Sequence, residues 1–255
     1  MFAINHRNKF NFIRLKDLYY APEVQKDHTG YDAVYYFNCK KPTWQAKEFK
    51  TMLINLKREP DEILKSFRKK TRVEINKALS DTELNFGIND HPSFNDLNVF
   101  LHGYNDFAAK KNLCPCNKSF LERLIEIDRL IIGTAFKEGK ILCQFALIDA
   151  EEKTVCYYGY NVRFSNINDH DKFKLISRAN RALEYKCMLH ANKKGKQYYD
   201  LCGLTMDPSN PSTENVDQYK MSFKGQVASE YHFIYPITFK GRLFCWLKQL
   251  SGGIS

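Results

Sequence analysis

The chain has 255 residues, 44% of them hydrophobic, and a formal charge of +10 from 39 Lys and Arg against 29 Asp and Glu. That apolar content suffices for one large core or two small intertwined ones and excludes a disordered chain. No apolar run approaches the ~18 residues of a membrane span, and the opening stretch MFAINHRNKFNFIRLKDLYY mixes charges among its aromatics, so neither a span nor a signal peptide is expected.

The eight cysteines fall partly inside apolar stretches such as ILCQFALI and TVCYYGY, as small hydrophobes in a reducing cytoplasm would. Cys114 and Cys116, one residue apart, lack the spacing of a zinc or redox motif, and no metal is expected. The positive charge points to an anionic partner: nucleic acid, a membrane surface or a phosphorylated small molecule.

In chain order, residues 1–57 form an abbreviated N-terminal portion with strands at 31–39 and 51–56. REPDEILKSFRKKTRVEINKALS, 58–80, reads as one helix: Pro60 at its start, acids in the first turn, and Leu64, Phe67, Thr71, Ile75 and Ala78 at helical spacing. Beside that stripe run Lys65, Arg68, Lys69, Arg72 and Asn76, a basic face. Further helices are expected at 91–112 and 117–128. Three apolar runs at 129–136, 141–148 and 154–160, joined by KEGK and DAEEK turns, predict an antiparallel meander.

A polar connection, 162–171, leads to a long amphipathic helix over 172–195, with Ile176, Ala179, Leu183 and Cys187 on one face and Gly195 as its stop. A short strand follows at 197–201, then a loop, a helix and a last strand ending near 238. The segment 239–255 gathers Leu243, Phe244, Trp246, Leu247 and Leu250 with Lys240, Arg242 and Lys248. This amphipathic pattern suits peripheral membrane contact, and suits packing on the domain or on a partner equally.

Four pieces in order, TRVEINKA (71–78), the meander, YYDLCG (198–203) and YKMSFKG (219–225), resemble the Fem-type branch of the GNAT acyltransferase superfamily. That branch includes peptidoglycan aminoacyltransferases and acetyltransferase-like proteins of envelope polysaccharide loci. The resemblance covers about residues 50–236 and implies an α+β fold with a GNAT-like mixed, mostly antiparallel central sheet flanked by helices, the GNAT-like domain spanning 58–238. It departs from the family pattern where Cys202 and Lys224 stand for glycines and Tyr219 for phenylalanine. The connection before the long helix has no glycine-rich turn of the kind that wraps a pyrophosphate, which counts against standard acetyl-CoA binding.

The resemblance aligns Lys220 with a lysine at the family's reaction centre and implies oxyanion or phosphate stabilisation; Arg72 is the other matched cation, with Lys77 beside it. Lys224 has no family counterpart and is a further candidate. From the residues themselves, Asp200 at the end of a short apolar strand is a candidate base, or a cap for the loop after it. His170, in the polar connection, is a weaker alternative for the same role. Lys174, Arg178 and Arg181 share one side of the long helix, where arginines grip phosphate bidentately. Tyr158, Tyr160 and Asn161, at the end of the third meander strand, line the same cleft or belong to the core.

Two functions are therefore expected. One is transfer of an acetyl, acyl or aminoacyl group, carried by coenzyme A, an acyl carrier protein or aminoacyl-tRNA, to an amine of a nucleotide- or lipid-linked sugar of the cell envelope. This would run in the cytoplasm or at the inner membrane face. The other is a non-catalytic basic module binding RNA or an anionic membrane.

Overall fold

The computed structural model describes residues 1–7, 12–25, 28–42, 46–163, 169–206 and 211–250. Residues 164–168 of the expected polar connection and 251–255 of the amphipathic segment lie outside the described residues. In chain order the elements are β1 (Phe2–Arg7), β2 (Arg14–Tyr19), β3 (Ala33–Cys39), β4 (Lys47–Asn55), α1 (Pro60–Ser66), α2 (Lys69–Leu79), β5 (Leu84–Asn89), α3 (Phe94–Lys111) and α4 (Lys118–Glu126). Then come β6 (Leu130–Lys137), β7 (Lys140–Asp149), β8 (Lys153–Asn161), α5 (His170–Lys193), β9 (Tyr198–Leu204), α6 (Pro211–Met221), β10 (Gln226–Pro236) and α7 (Phe239–Leu250). The class is α+β.

The chain forms two compact units, Met1–Thr51 with Val227–Ser255 and Met52–Gln226. The divisions expected at 57 and 238 differ from these because β10 returns to pair with β3, a contact almost two hundred residues apart in sequence that no local pattern displays.

In the first unit β1 pairs antiparallel with β2, β2 parallel with β3, and β3 antiparallel with β10. Its core is small: Leu18, Val34, Tyr36 and Phe233 on one side, Leu15, Ala33 and Cys245 on the other. Gly241 lets α7 press against the sheet, since a Cβ there would lie 1.8 Å from the Asp32 carbonyl oxygen.

In the second unit the expected meander is β6, β7 and β8, extended by β5 antiparallel to β6. The alternation of β5 is half-exposed, and the segment had no apolar run to announce it. Helix α5 then carries the chain back so that β9 pairs parallel with β8, as a crossover connection must. This ladder has three pairs, Lys153 with Tyr198, Thr154 with Tyr199 and Val155 with Asp200, and beyond them the two strands part. Just there β8 carries a bulge, with Leu147 opposite Cys156 and Ala146 opposite Tyr158, so that Tyr157 is the extra residue.

The single helix expected at 58–80 is two. Phe67 and Arg68 are extended, with ψ of 164° and 145°. Tertiary packing overrides helical spacing there: Phe67 is fully buried edge-on against Phe223 and Tyr185, and the Arg68 N–H donates to the Ser222 carbonyl.

Candidate active site

The parting of β8 and β9 positions the residues of greatest chemical interest. Asp200 closes the ladder, and the strand then turns through Cys202, whose φ of 61° is in the left-handed region. The Asp200 carboxylate shapes that turn by accepting the Cys202 N–H at 2.8 Å through Oδ1, while Oδ2 receives the Lys153 ammonium at 2.6 Å. Both partners of this ion pair are buried, with side chains 2% and 7% exposed. Of the two roles weighed for Asp200, the geometry displays the cap.

Lys220 lies in the last turn of α6, half-buried, and its Nζ donates to the Gly203 carbonyl at 2.5 Å. The ammonium is therefore held against the end of β9. Beneath it is a carboxylate that sequence reasoning missed. Glu184 of α5 is 2% exposed and accepts hydrogen bonds from the Tyr199 hydroxyl at 2.7 Å and the Tyr219 hydroxyl at 3.2 Å. Burial pushes its pKa up, against the pull of those hydroxyls and of the Lys220 charge. Its signal was an acid three residues before Cys187 within the apolar stripe of the long helix. Asn180 donates to the Tyr219 hydroxyl at 2.9 Å and completes the cluster.

The thiols nearby are shifted away from the reactive thiolate form. Burial raises Cys202 to about 11 and holds Cys156 well above the ordinary range. Cys116 of the Cys114 pair is likewise raised by burial to about 12. Among the described residues no three His, Cys, Asp or Glu side chains group as metal ligands would.

The predicted cations separate into two sets. Lys77, Lys174 and Arg178 line a cleft of about 590 Å³ between α2 and α5, together with Lys69, Lys70, Val73 and Glu74. Five cations against one carboxylate make it a strongly positive surface. Lys70 was not picked out by the sequence; it falls one residue off the expected basic face.

The other two arginines are engaged internally. Arg72 Nη1 donates to the carbonyls of Phe67 at 2.6 Å and Lys65 at 3.1 Å, satisfying the orphan end of α1, so it does not line the cleft. Arg181 pairs through Nε with Glu74 at 3.1 Å, and its guanidinium carbon sits 5.1 Å from the Tyr219 ring centroid. Alongside it Arg163, also missed by the sequence, lies over Phe173 at 4.8 Å; burial, with Arg181 near, lowers its pKa.

Of the tyrosines at the end of β8, Tyr160 belongs to the core and Tyr158 is half-buried. Tyr160 is 4% exposed, donates to Gln144 Oε1 at 2.6 Å and packs on Phe100 of α3. It fits because residue 103 is glycine: a Cβ there would be 2.1 Å from the Tyr160 hydroxyl. Tyr158 accepts the Asn117 N–H at 3.3 Å and stacks edge-on with Tyr104. Asn161 accepts the Arg163 N–H at 3.2 Å and stays at the end of the strand. Long aromatics alternate along β8 whichever face is buried, so the sequence left this open.

His170 is exposed at the start of α5, and Lys224 is exposed in the turn after α6 with φ of 52°. The helix start itself is occupied by carboxylates: Asp169 caps it by accepting the Lys172 N–H at 2.9 Å, and Asp171 stands in the first turn. Two negative groups there oppose a pyrophosphate.

A parallel β8/β9 pair that separates at its end, a meander before it and a long crossover helix make up a Fem-like fold. Neither a protein-family model nor a curated protein matches the sequence. Among solved structures the chain is similar to FemX, with 14% identity and a TM-score of 0.60, over 79% of this chain and 63% of that one. It is similar also to the C-terminal domain of a lysylphosphatidylglycerol synthetase candidate from Agrobacterium fabrum, with 13% identity and a TM-score of 0.55 over 99% and 90% of the two chains. L-PGS from Bacillus licheniformis matches with 11% identity and a TM-score of 0.53, over 96% and 88%. At these identities the likeness is one of fold, and this chain spans less than two thirds of FemX.

Proposed function

We propose that the chain is an N-acyltransferase that moves an acetyl, acyl or aminoacyl group to an amine of a nucleotide- or lipid-linked sugar in envelope polysaccharide or peptidoglycan-type biosynthesis. The observation that carries this reading is the inward Lys220 ammonium at the point where β8 and β9 part. When the acceptor amine attacks the donor carbonyl, the carbonyl electron pair moves to oxygen, and a cation held beside a partly dry opening stabilises that oxyanion. Collapse restores the carbonyl and expels the donor's thiolate or ribose oxygen, which takes the proton that the amine loses.

Asp200 is not assigned the base role, because its two oxygens are engaged by Lys153 and the Cys202 N–H. It acts through the turn that presents the Gly203 carbonyl to Lys220. Phosphates of the acceptor are placed in the cleft of Lys77, Lys174 and Arg178, whose volume of about 590 Å³ falls within the range of small-molecule sites.

For the donor, the carboxylates at the start of α5 favour an acyl carrier protein or an aminoacyl-tRNA over coenzyme A. Fold likeness to a lysylphosphatidylglycerol synthetase domain supports the aminoacyl form. The reaction is placed in the cytoplasm or at the inner face of the membrane, where such acceptors would be charged.

The test is mass-spectrometric detection of transfer with acyl-CoA, acyl carrier protein and charged tRNA against nucleotide amino sugars. Lys220→Ala should lower turnover by about 10²–10³, as loss of one oxyanion donor does, with the melting temperature held. Undiminished transfer by that variant removes the assignment. The exposed cleft cations also suit RNA binding without chemistry; in that case no donor reacts and each cation removed weakens binding by a graded, salt-dependent step.

A further inference from the structure

Helix α7 is apolar on both sides. One side packs on its own sheet: Gly241 and Cys245 are buried, and Phe244 meets the Tyr35 ring edge-on at 6.5 Å. The other presents Phe239, Leu243, Trp246 and Leu247, at i, i+4, i+7 and i+8, with exposures of 81%, 49%, 55% and 52%. On a helical wheel these four centre opposite Gly241 and Cys245. A helix lying on a sheet ordinarily turns its polar stripe outward; here the outward stripe is three large aliphatic or aromatic side chains and a tryptophan.

Lys240 and Arg242, both exposed, flank that stripe on its two margins, and the helix contains no Asp or Glu. The unit that carries it has twelve Lys and Arg against six Asp and Glu. These charges choose the occupant. A second copy docking face to face would set Lys240 and Arg242 against like charges with no acid in the helix to meet them, which costs binding. Anionic lipid headgroups supply the missing negative charge, and their acyl boundary takes Leu243 and Leu247 while the Trp246 indole sits at headgroup level.

We propose that α7 is an in-plane anchor by which the chain rests on an anionic bilayer, independently of the transfer chemistry. The test uses the full chain with vesicles of phosphatidylcholine, alone or mixed with phosphatidylglycerol. The chain should sediment with the mixed vesicles and not with the neutral ones. In a Trp44→Phe background, which leaves Trp246 as the sole tryptophan, emission should shift to the blue and resist an aqueous quencher. Leu243→Glu with Leu247→Glu should reduce partitioning by at least about tenfold, and Lys240→Ala or Arg242→Ala by about fivefold each.

Both leucines are outward, so circular dichroism and melting temperature should match wild type; if the Glu variant unfolds, Leu243→Ser with Leu247→Ser replaces it. Three results would overturn the proposal: no sedimentation with mixed vesicles at low salt, unchanged partitioning of the double variant, or a wild-type dimer that the double variant converts to monomer.

Discussion

Glu184 offers the sharpest energetic test, because its surroundings predict opposite outcomes for two substitutions. Its carboxylate is buried and receives two phenol hydrogen bonds, at 2.7 and 3.2 Å. Glu184→Ala strands the Tyr199 hydroxyl, which is fully buried, at about 1–3 kcal/mol. It also removes one buried methylene, worth about 0.8 kcal/mol, and leaves a void. The relieved burial of a charge offsets part of this, so a net loss of about 2–4 kcal/mol is expected, or roughly 4–15 °C in melting temperature for a chain of this size. Tyr199→Phe added to that variant should recover about 1–2 kcal/mol, since the stranded hydroxyl is then gone.

Glu184→Gln keeps the volume and one acceptor and removes the charge, and should stay within about 1 kcal/mol of wild type at neutral pH. The pH dependence has a definite sign. Burial raises the folded-state pKa above the ordinary 4.5, so the ionised form is the one the fold disfavours. As pH falls through the raised value towards 4.5 the folded wild type binds its proton first and gains stability relative to Glu184→Gln, a gain complete below 4.5. Denaturant unfolding of both proteins across that window measures it. If Glu184→Gln is as damaging as Glu184→Ala at neutral pH, or if the difference between Gln variant and wild type does not change with pH, the reasoning fails.

Other consequences are simpler to read. Lys224→Gly should stabilise by about 0.5–1 kcal/mol in thermal unfolding, because the strain of a side chain at a φ of 52° outweighs the added entropy of glycine in the unfolded chain. Gly225→Ala should cost about 1–3 kcal/mol, since the new Cβ would lie 2.7 Å from the Leu53 carbonyl oxygen and from Met52 and Ile54 side-chain carbons. Lys174→Ala with Arg178→Ala should raise KM for the phosphorylated acceptor about 10–100-fold with little change in kcat, as loss of charge-assisted hydrogen bonds to a ground-state group does.

The elements with strong local patterns were legible in the sequence: the meander at β6 to β8, the long helix α5 and the helices α3 and α4 follow period and turn chemistry alone. The breaks came where distant residues decide. Helix α1 ends at Phe67 because Phe223 and Tyr185 bury that ring, more than a hundred residues away in the chain. β1, β2 and β5 were missed because mixed charges and half-exposed alternation blurred their period, and the unit boundary was missed because β10 pairs with β3.

Of the candidate residues, Lys174 and Arg178 were visible by spacing and Lys77 and Lys220 by the resemblance; Lys77, Lys174 and Arg178 line one cleft. The internal partners of Arg72 and Tyr160, a carbonyl pair for one and Gln144 for the other, leave no local pattern. The two non-glycine substitutions in the resembling motifs, Cys202 and Lys224, both proved to stand at left-handed φ, a backbone explanation for why glycine is usual there.

Among the described residues, Lys220 is steadied by a neutral dipole, the Gly203 carbonyl, and by no carboxylate at hydrogen-bond distance. A counter-ion in that position would have cancelled the field felt by an incoming ligand, whereas a peptide oxygen orients the ammonium and leaves its unit charge unquenched. Under the proposed transfer reaction, that charge stays available to an oxyanion forming beside it.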